Sequence, residues 1–338
     1  MKDIQHYSLL RHNTFGIDAS CRRFIMFDNL KELGETLDKL SAADDPVMPL
    51  GEGSNLLLTK DYEGTVLCSN IGFIDIRITA DKHATVRCGS GVHWDDLVAE
   101  CVELGAYGLE NLSLIPGTVG AAAVQNIGAY GVEMKDFVYS ITAYEIATKQ
   151  KKTFLNADID YAYRYSKFKT DWKNRFIIAE VELRFDCYYH PHLDYGNIRA
   201  ELERQNITDP TPQQLRQTII SIRQAKLPDP AKIGNAGSFF MNPIVDKAKY
   251  ESLAAQYAGM PHYDIDDQHI KIPAGWMIDQ CGWKGRALGK AAVHDKQALV
   301  LVNLGGATGN DVLQLCHTIQ QDVYHQFGIH ILPEVNIL

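Results

Sequence analysis

Residues 115–131 have the sequence IPGTVGAAAVQNIGAYG, which is dominated by glycine and alanine. A second stretch rich in small residues, GEGSN, occupies residues 51–55. Glycine and alanine let backbone N–H groups approach the phosphate oxygens of a ligand, where several oriented donors form an anion-binding nest. We interpret the two stretches as one cradle for a pyrophosphate; two tight turns with small-residue packing are the alternative.

Neither stretch carries one of the common nucleotide-binding signatures. In GEGSNL, Leu56 stands where the third glycine of G-x-G-x-x-G belongs, and the sequence contains no G-x-x-x-x-G-K-[ST]. A nucleotide site on these loops therefore needs an architecture other than a Rossmann fold or a P-loop. Helical and extended patterns are mixed without a sustained strand–helix alternation, which favours the α+β fold class.

Length, charge and cysteine content narrow the class of protein. The 338 residues exceed the roughly 250–300 at which single cores stop growing, so we expect two or three domains. The net charge of -9 argues against a broad nucleic-acid surface. The seven cysteines form no C-x-x-C pair, which is typical of a reducing compartment. Because we find neither a secretory signal nor a stretch of about 20 apolar residues, we expect a cytoplasmic protein without a membrane partner.

Local patterns predict individual elements and one boundary. Residues 28–40 have leucines at three- and four-residue spacing, which predicts a helix with Asp28 as its N-cap. Proline-rich segments at 206–212 and 226–232 flank another helical pattern, and we place a domain boundary there.

Residues 176–185, FIIAEVELRF, alternate between apolar and charged side chains and predict a half-buried strand. The residues expected on its apolar face are Ala179, Val181, Leu183 and Phe185.

Three further stretches contain candidate catalytic or metal-binding residues. In GNAGSFFMNP (234–243), Ser238 lies between a turn and two phenylalanines, which fits either a turn before a core strand or a hydroxyl held against a reacting centre. In YAYRYSKFK (161–169), the pattern fits an exposed strand or an Arg164 that neutralises a developing anion. The HPH at 190–192 lacks a third ligand nearby, and we predict no metal site.

The motifs NTFGI, GEGSNLLL, IPGTVGAAAVQNIGAYG, YAYRYSKFK, GNAGSFFMNP and LPEV occur in an order that resembles the UDP-N-acetylenolpyruvoylglucosamine reductase family. The segment DYGNI is similar to the longer form of that family, which carries a tyrosine on a substrate loop. The resemblance implies an α+β protein whose FAD-binding fold is of the vanillyl-alcohol-oxidase type. Its two subdomains would comprise residues 1–70, joined by a tail at about 328–338, and residues 71–225. Residues 226–327 would form the α+β substrate-binding domain.

The resemblance also implies the reaction and its cofactors. NADPH would reduce FAD, and the reduced flavin would deliver hydride to the vinyl carbon of UDP-N-acetylglucosamine enolpyruvate, giving UDP-N-acetylmuramate for peptidoglycan synthesis. Ser238 would be the general acid, with Arg164 and Glu334 beside it. An enolate-like charge develops next to the substrate carboxylate, so a permanently ionised guanidinium and a proton donor suit this reaction. We expect a monomer whose partners are NADPH and this substrate, and no nucleic acid.

Further residues carry over from the resemblance as binding residues. Those expected to bind FAD are Gly51, Gly53, Ser54, Asn55, Pro116, Gly117, Thr118, Gly120, Gln125, Asn126, Gly128 and Arg223. Those expected to bind the UDP-sugar are Tyr195, Lys226, Asn242, Tyr263, Lys284 and Gln297. The sequence departs from the family pattern at Met241, where relatives often have lysine, and at Ala123, where proline is common.

Two alternatives stay open at this point. One is a different FAD-dependent oxidoreductase on the same scaffold, such as an alcohol oxidase, which would need a base to activate a hydroxyl group. The other is a nucleotide-sugar-binding protein without redox chemistry, which would have no reason to carry two phosphate loops of this kind.

Overall fold

Helices and strands are mixed along the whole chain in the computed structural model, which describes residues 1–338. The strands are β1 (Lys2–Ser8), β2 (Ser20–Phe27), β3 (Val47–Leu50), β4 (Leu56–Leu57), β5 (Tyr62–Ser69), β6 (Ile74–Ile78), β7 (His83–Gly89), β8 (Gly128–Ala129), β9 (Val132–Glu133), β10 (Val138–Glu145), β11 (Lys151–Leu155), β12 (Phe176–Asp186), β13 (Gly234–Ser238), β14 (Ile244–Asp246), β15 (Tyr263–Asp264), β16 (His269–Lys271), β17 (Ala287–Leu288), β18 (Ala291–Val293), β19 (Val300–Asn303) and β20 (Asn336–Ile337). The helices are α1 (Leu30–Lys39), α2 (Trp94–Leu104), α3 (Val119–Gln125), α4 (Asn156–Ile159), α5 (Ile198–Arg204), α6 (Pro212–Lys226), α7 (Lys247–Ala254), α8 (Ala274–Gln280) and α9 (Gly309–Phe327). The α+β class is confirmed.

The chain forms two compact units, each made of separate segments. The first unit contains residues 1–7, 20–52 and 62–225, and the second contains residues 8–19, 53–61 and 226–338. The three-domain division derived from the sequence stays a prediction.

The first sheet of the first unit has the strand order β1-β2-β5-β3, and both β2 and β3 pair with β5 in parallel. Helix α1 makes the crossover between β2 and β3. Its predicted N-cap is wrong by one residue, because the side chain of Asn29 accepts from the backbone N–H of Glu32 at 3.0 Å. The carboxylate of Asp28 is instead occupied by the side chain of Asn70 at 2.6 Å and by the N-terminal ammonium group.

The second sheet of this unit is antiparallel, with the order β11-β10-β12-β7-β6. Strand β12 is half-buried as predicted from residue 180 onward, whereas residues 176–179 are all buried, and the face expected for Ala179 is wrong. The pairing of β12 with β10 shifts by one residue between Ile178 and Glu180, and this bulge inverts the alternation. Ala179 therefore packs in the cluster around Phe27 and Leu33, whereas the residues from Val181 onward belong to the cluster beneath α2 and α3.

The second unit contains a four-stranded sheet of order β13-β19-β18-β17, a three-stranded sheet of order β14-β16-β15, and the parallel pair of β20 with β4. Helix α9 buries one stripe along its length, as its periodicity predicts. Its first turn is closed by a capping box between Thr308 and Asp311. None of the helices is both long and apolar enough to cross a bilayer.

Candidate active site

The two small-residue loops contact each other in the first unit. A Cβ atom on Gly51 would lie 2.9 Å from Thr118 Oγ1 and 3.1 Å from the Cβ of Ala121, so the close approach requires glycine. Thr118 is the N-cap of α3, and its hydroxyl accepts from the backbone N–H of Ala121 at 3.4 Å. The structure therefore brings together two residues that the sequence assigned to one phosphate cradle.

The remainder of the 116–120 loop is anchored to α2 and to the segment before it. The carbonyl of Gly117, which has φ +121°, accepts from the backbone N–H of Trp94 at 2.9 Å. Gly120 donates to the carbonyl of Ser90 at 3.0 Å, and a Cβ on Gly120 would lie 2.8 Å from the Ser90 side chain. Pro116 is exposed. These contacts fix the backbone of the loop at Gly117 and Gly120.

A second set of predicted residues surrounds Arg164. Its Nη2 donates to the carbonyl of Gly128 at 2.8 Å, and its backbone has φ +54° in a tight turn between Ala162 and Tyr165. The exposed-strand alternative for residues 161–169 is therefore wrong. The buried side chain of Asn126 donates to the carbonyl of Ala162 at 2.8 Å and thereby holds this turn. Asn126, Gly128 and Arg164 are thus brought together.

Two buried polar atoms in this unit are suited to bind a polar ligand. Gln125 Oε1 and Arg223 Nε are inaccessible to solvent and lack a hydrogen-bond partner within the protein. Burial lowers the pKa of Arg223, and the nearby Tyr130 hydroxyl and Asp95 act in the opposite direction. Buried polar atoms are normally paired, so these two, together with the glycine cradle at Gly51, fit a bound dinucleotide such as FAD.

The loop that carries Tyr195 packs against the 128–131 turn. A Cβ on Gly131 would lie 3.7 Å from the ring of Tyr195, which is 39% exposed. The buried side chain of Asn111 donates to the carbonyls of Tyr130 and His192 at 2.9 Å each, which ties the loop to the turn. The sequence analysis does not single out Asn111. The sequence feature that could have pointed to it is an amide side chain among leucines.

In the second unit, Ser238 is the last residue of β13 and is opposite Val300 of β19. The turn expected before Ser238 is instead an irregularity within β13, because the register against β19 shifts between Asn235 and Ser238. At this point Gly237 has φ +69°, and its N–H donates to Asn235 Oδ1 at 3.0 Å. The two phenylalanines that follow Ser238 are buried, while Ser238 itself is half-buried. The irregularity in β13 and the two buried phenylalanines together fix the backbone at Ser238.

The C-terminal segment runs beside residues 239–241, which directly follow this strand. The backbone N–H of Glu334 donates to the carbonyl of Phe239 at 2.8 Å, and that of Met241 donates to the carbonyl of Leu332 at 2.9 Å. The side chain of Asn55 donates to the carbonyl of Glu334 at 3.3 Å. Ser238, Glu334 and Asn55 are therefore neighbours within this unit. Beside Asn55, Gly53 (φ +69°) approaches the carbonyl of His12, from which a Cβ would be 2.1 Å away, and Ser54 is half-buried.

Two predicted substrate residues meet at the start of α8. Asn242 Oδ1 accepts from the backbone N–H of Ala274 at 2.9 Å, and Gln297 Oε1 would lie 3.3 Å from a Cβ on Gly275.

The other predicted substrate residues lie elsewhere on the chain. Lys271 Nζ lies 5.5 Å from the centre of the Tyr263 ring. Lys284 Nζ lies 3.6 Å from a carboxylate oxygen of Asp279, and Lys226 is the exposed last residue of α6.

Comparison with known proteins identifies relatives over the full chain. A family model described as "UDP-N-acetylenolpyruvoylglucosamine reductase, C-terminal domain" matches residues 229–338, and one described as "FAD binding domain" matches residues 22–152. The UDP-N-acetylenolpyruvoylglucosamine reductase of Bacteroides fragilis is 51% identical over 99% of both chains, and that of Burkholderia multivorans is 46% identical over 97% of this chain and 95% of its own. The crystal structure of the Thermus caldophilus UDP-N-acetylenolpyruvylglucosamine reductase superposes with a TM-score of 0.68 at 20% identity, covering 99% of this chain and 98% of that chain, and so shares its fold.

Proposed function

Since the chain belongs to the UDP-N-acetylenolpyruvoylglucosamine reductase family, we propose a division of catalytic roles among its residues. The chain is an FAD-dependent oxidoreductase that reduces UDP-N-acetylglucosamine enolpyruvate in peptidoglycan precursor synthesis. Our proposal concerns the electron donor, NADPH, and the residues that bind and protonate the substrate.

FAD, when bound, supplies the hydride chemistry that reduces the vinyl group. The residues we propose to hold it are those of the phosphate cradle (Gly51, Gly53, Ser54, Asn55, Pro116, Gly117, Thr118 and Gly120) and those of the second wall (Gln125, Asn126, Gly128 and Arg223). Supporting this assignment, Gly51 leaves no room for a Cβ beside Thr118, and the buried Gln125 Oε1 and Arg223 Nε have no partner in the protein.

Ser238 is the proposed proton donor to the carbon next to the substrate carboxylate. The observation that carries this role is the hydrogen bond between Glu334 N–H and Phe239 carbonyl, which holds a carboxyl residue beside the serine strand. A serine is a weak acid, so its departing proton must be offset by donors that stabilise the alkoxide. Glu334 would lie beside the serine, and the guanidinium of Arg164 would bind the substrate carboxylate and offset the negative charge that develops next to it.

The proposed substrate residues are Tyr195, Lys226, Asn242, Tyr263, Lys284 and Gln297. The meeting of Asn242 and Gln297 at the start of α8 supports their assignment to one part of the ligand. We also propose that the protein works as a monomer in the cytoplasm. All seven cysteines are free and five of them are buried, which suits a reducing compartment.

Anaerobic absorption spectroscopy tests the proposal. The purified protein should be yellow, bleach when NADPH is added, and recover its colour when UDP-N-acetylglucosamine enolpyruvate follows. Bleaching by NADH alone would contradict the assigned electron donor. A colourless protein that cannot be reconstituted with FAD would contradict the assignment of the cradle.

A further inference from the structure

The first two residues of α2 hold the loop that precedes the phosphate cradle at three points. The indole N–H of Trp94 donates to the carbonyl of Leu112 at 2.9 Å, and its backbone N–H donates to the carbonyl of Gly117 at 2.9 Å. Between these points, Asp95 Oδ1 accepts from the backbone N–H of Leu114 at 2.5 Å. The course of the loop from 112 to 117 is therefore set by the start of α2.

Leu114 has an unfavourable backbone conformation. Its φ is +57°, in the left-handed region, which costs a residue with a branched side chain roughly 1–2 kcal/mol. The carboxylate of Asp95 engages the N–H of this same residue, and Pro116, Gly117 and Thr118 follow directly. The contact thus acts at the residue whose conformation directs the chain into the cradle.

The other carboxylate oxygen of Asp95 faces helix α6. Asp95 Oδ2 accepts from Arg216 Nη2 at 3.0 Å, and the Asp95 carbonyl is 3.3 Å from the same nitrogen. Arg223 lies two helical turns further along α6, and Asp95 is among the charges that favour its ionised form. Arg216 Nη1 and Arg223 Nε are both buried without a partner. The Asp95 carboxylate therefore connects the loop to Arg216 of α6.

We infer that Asp95 is a positioning residue for the flavin site: it holds Leu114 in its left-handed conformation and ties the cradle loop to Arg216 of α6. The inference rests on the proposed assignment of residues 116–120 to FAD phosphates. Asp95 itself contacts Leu114 and Arg216 and is assigned no contact with the cofactor.

Fluorescence titration of the apoprotein with FAD tests this inference, using Asp95→Ala and its exposed neighbour Asp96→Ala as a matched control. Asp95→Ala should weaken FAD binding about tenfold, which corresponds to about 1.4 kcal/mol, whereas Asp96→Ala should stay within about twofold of the wild type. If Asp95→Ala binds FAD as the wild type does, the inference is overturned.

A rescue experiment separates positioning from a general loss of structure. Glycine adopts the left-handed conformation without the Cβ penalty, so Leu114→Gly in the Asp95→Ala background should recover most of the lost FAD affinity. Absence of recovery would overturn the inference.

If the Asp95→Ala variant does not fold, Asp95→Asn replaces it in the same FAD titration. This variant keeps an acceptor for Leu114 while removing the charge that faces Arg216, so its loss of affinity should be about threefold. A loss of tenfold or more would overturn the role assigned to the Leu114 contact. If the wild-type apoprotein itself fails to bind FAD, the proposed function fails instead, which is a separate outcome.

Discussion

The backbone N–H of Glu334 donates to the carbonyl oxygen of Phe239 at 2.8 Å, which places the C-terminal segment beside the residues that directly follow Ser238. The bond is made by backbone atoms, so it holds the two segments together whatever side chain either residue carries. It supports the proposal that the serine and the glutamate belong to one reacting centre.

Ser238→Ala should separate the two half-reactions. Reduction of the flavin by NADPH should stay within about twofold of the wild type, whereas its reoxidation by the enolpyruvyl substrate should slow by about 10²–10⁴, the usual contribution of a positioned proton donor. Anaerobic stopped-flow absorbance measures both steps. The exposed Ser252→Ala in the same unit is the control. Equal losses in both half-reactions would show that Ser238 shapes the flavin site instead.

Gly51→Val should reduce FAD affinity by about tenfold or more, because the added atoms would overlap Thr118 and push the two loops apart. Gly34→Ala is the control, since Gly34 lies in α1 with no atom within 4 Å of an added Cβ. That change should leave FAD affinity unchanged and stabilise the protein by about 0.5–1 kcal/mol through helix propensity. Equilibrium dialysis gives the affinities. Unchanged binding in Gly51→Val would contradict the cradle.

Tyr195→Ala should raise KM for the UDP-sugar substrate about tenfold and leave flavin reduction by NADPH unaffected, because the ring is assigned to the substrate alone. Steady-state kinetics with each substrate varied separates these effects. Tyr188→Ala is the control, since Tyr188 lies in the same loop and is 60% exposed. An identical KM for both variants and the wild type would remove Tyr195 from the substrate site.

Thr308→Ala should destabilise the second unit by about 1 kcal/mol, which lowers its Tm by about 3 °C, because the capping box of α9 is lost. Thr318 lies inside the same helix and donates to the carbonyl of Gln314 at 2.9 Å. Thr318→Ala should leave Tm unchanged or raise it slightly, since alanine favours the helix. Calorimetry distinguishes the two variants, and equal Tm changes would contradict the role of the cap.

Glu145 should make stability depend on pH in the acid range. Hydrogen bonds from Lys152, Thr148 and Arg175 lower the pKa of this buried carboxyl from 4.5 to about 2. Because the pKa is lowered in the folded state, the ionised carboxyl stabilises that state, and the whole contribution is present above pH 4.5. It is lost as the pH falls toward 2. The Tm difference between wild type and Glu145→Gln should therefore be largest at pH 7 and shrink toward pH 3. The exposed Glu35→Gln should show no such trend.

Some structural features followed from local sequence alone. Helix α2 ends at Leu104, and the glycine that follows it, Gly105, has φ +87° in the left-handed conformation of a helix C-cap. Helix α9 buries apolar residues that recur at helical spacing, and the small residues of 51–55 and 115–131 form close backbone approaches. These features were predictable because turn chemistry and side-chain periodicity act over a few residues.

Other features depended on pairing between distant segments. The alternation in β12 predicted the wrong face for Ala179, because a bulge against β10 is a property of two strands together. Asp28 precedes a helix, and aspartate is a favoured N-cap residue. Its carboxylate nevertheless accepts hydrogen bonds from Asn70 and the N-terminal ammonium group instead of capping the helix. A local sequence pattern does not show that distant groups compete for the same side chain.

By itself, the sequence determined the α+β class, the family and the identity of the small-residue loops. These could be predicted because motifs and local backbone preferences depend on residues that are close together in the chain. Only the tertiary structure decided that Gly51 meets Thr118, that Glu334 lies beside the Ser238 strand, and that Asp95 holds a left-handed Leu114 against α6. Those contacts join residues far apart in the chain. Their geometry is set by strand register and core packing, which no local pattern specifies.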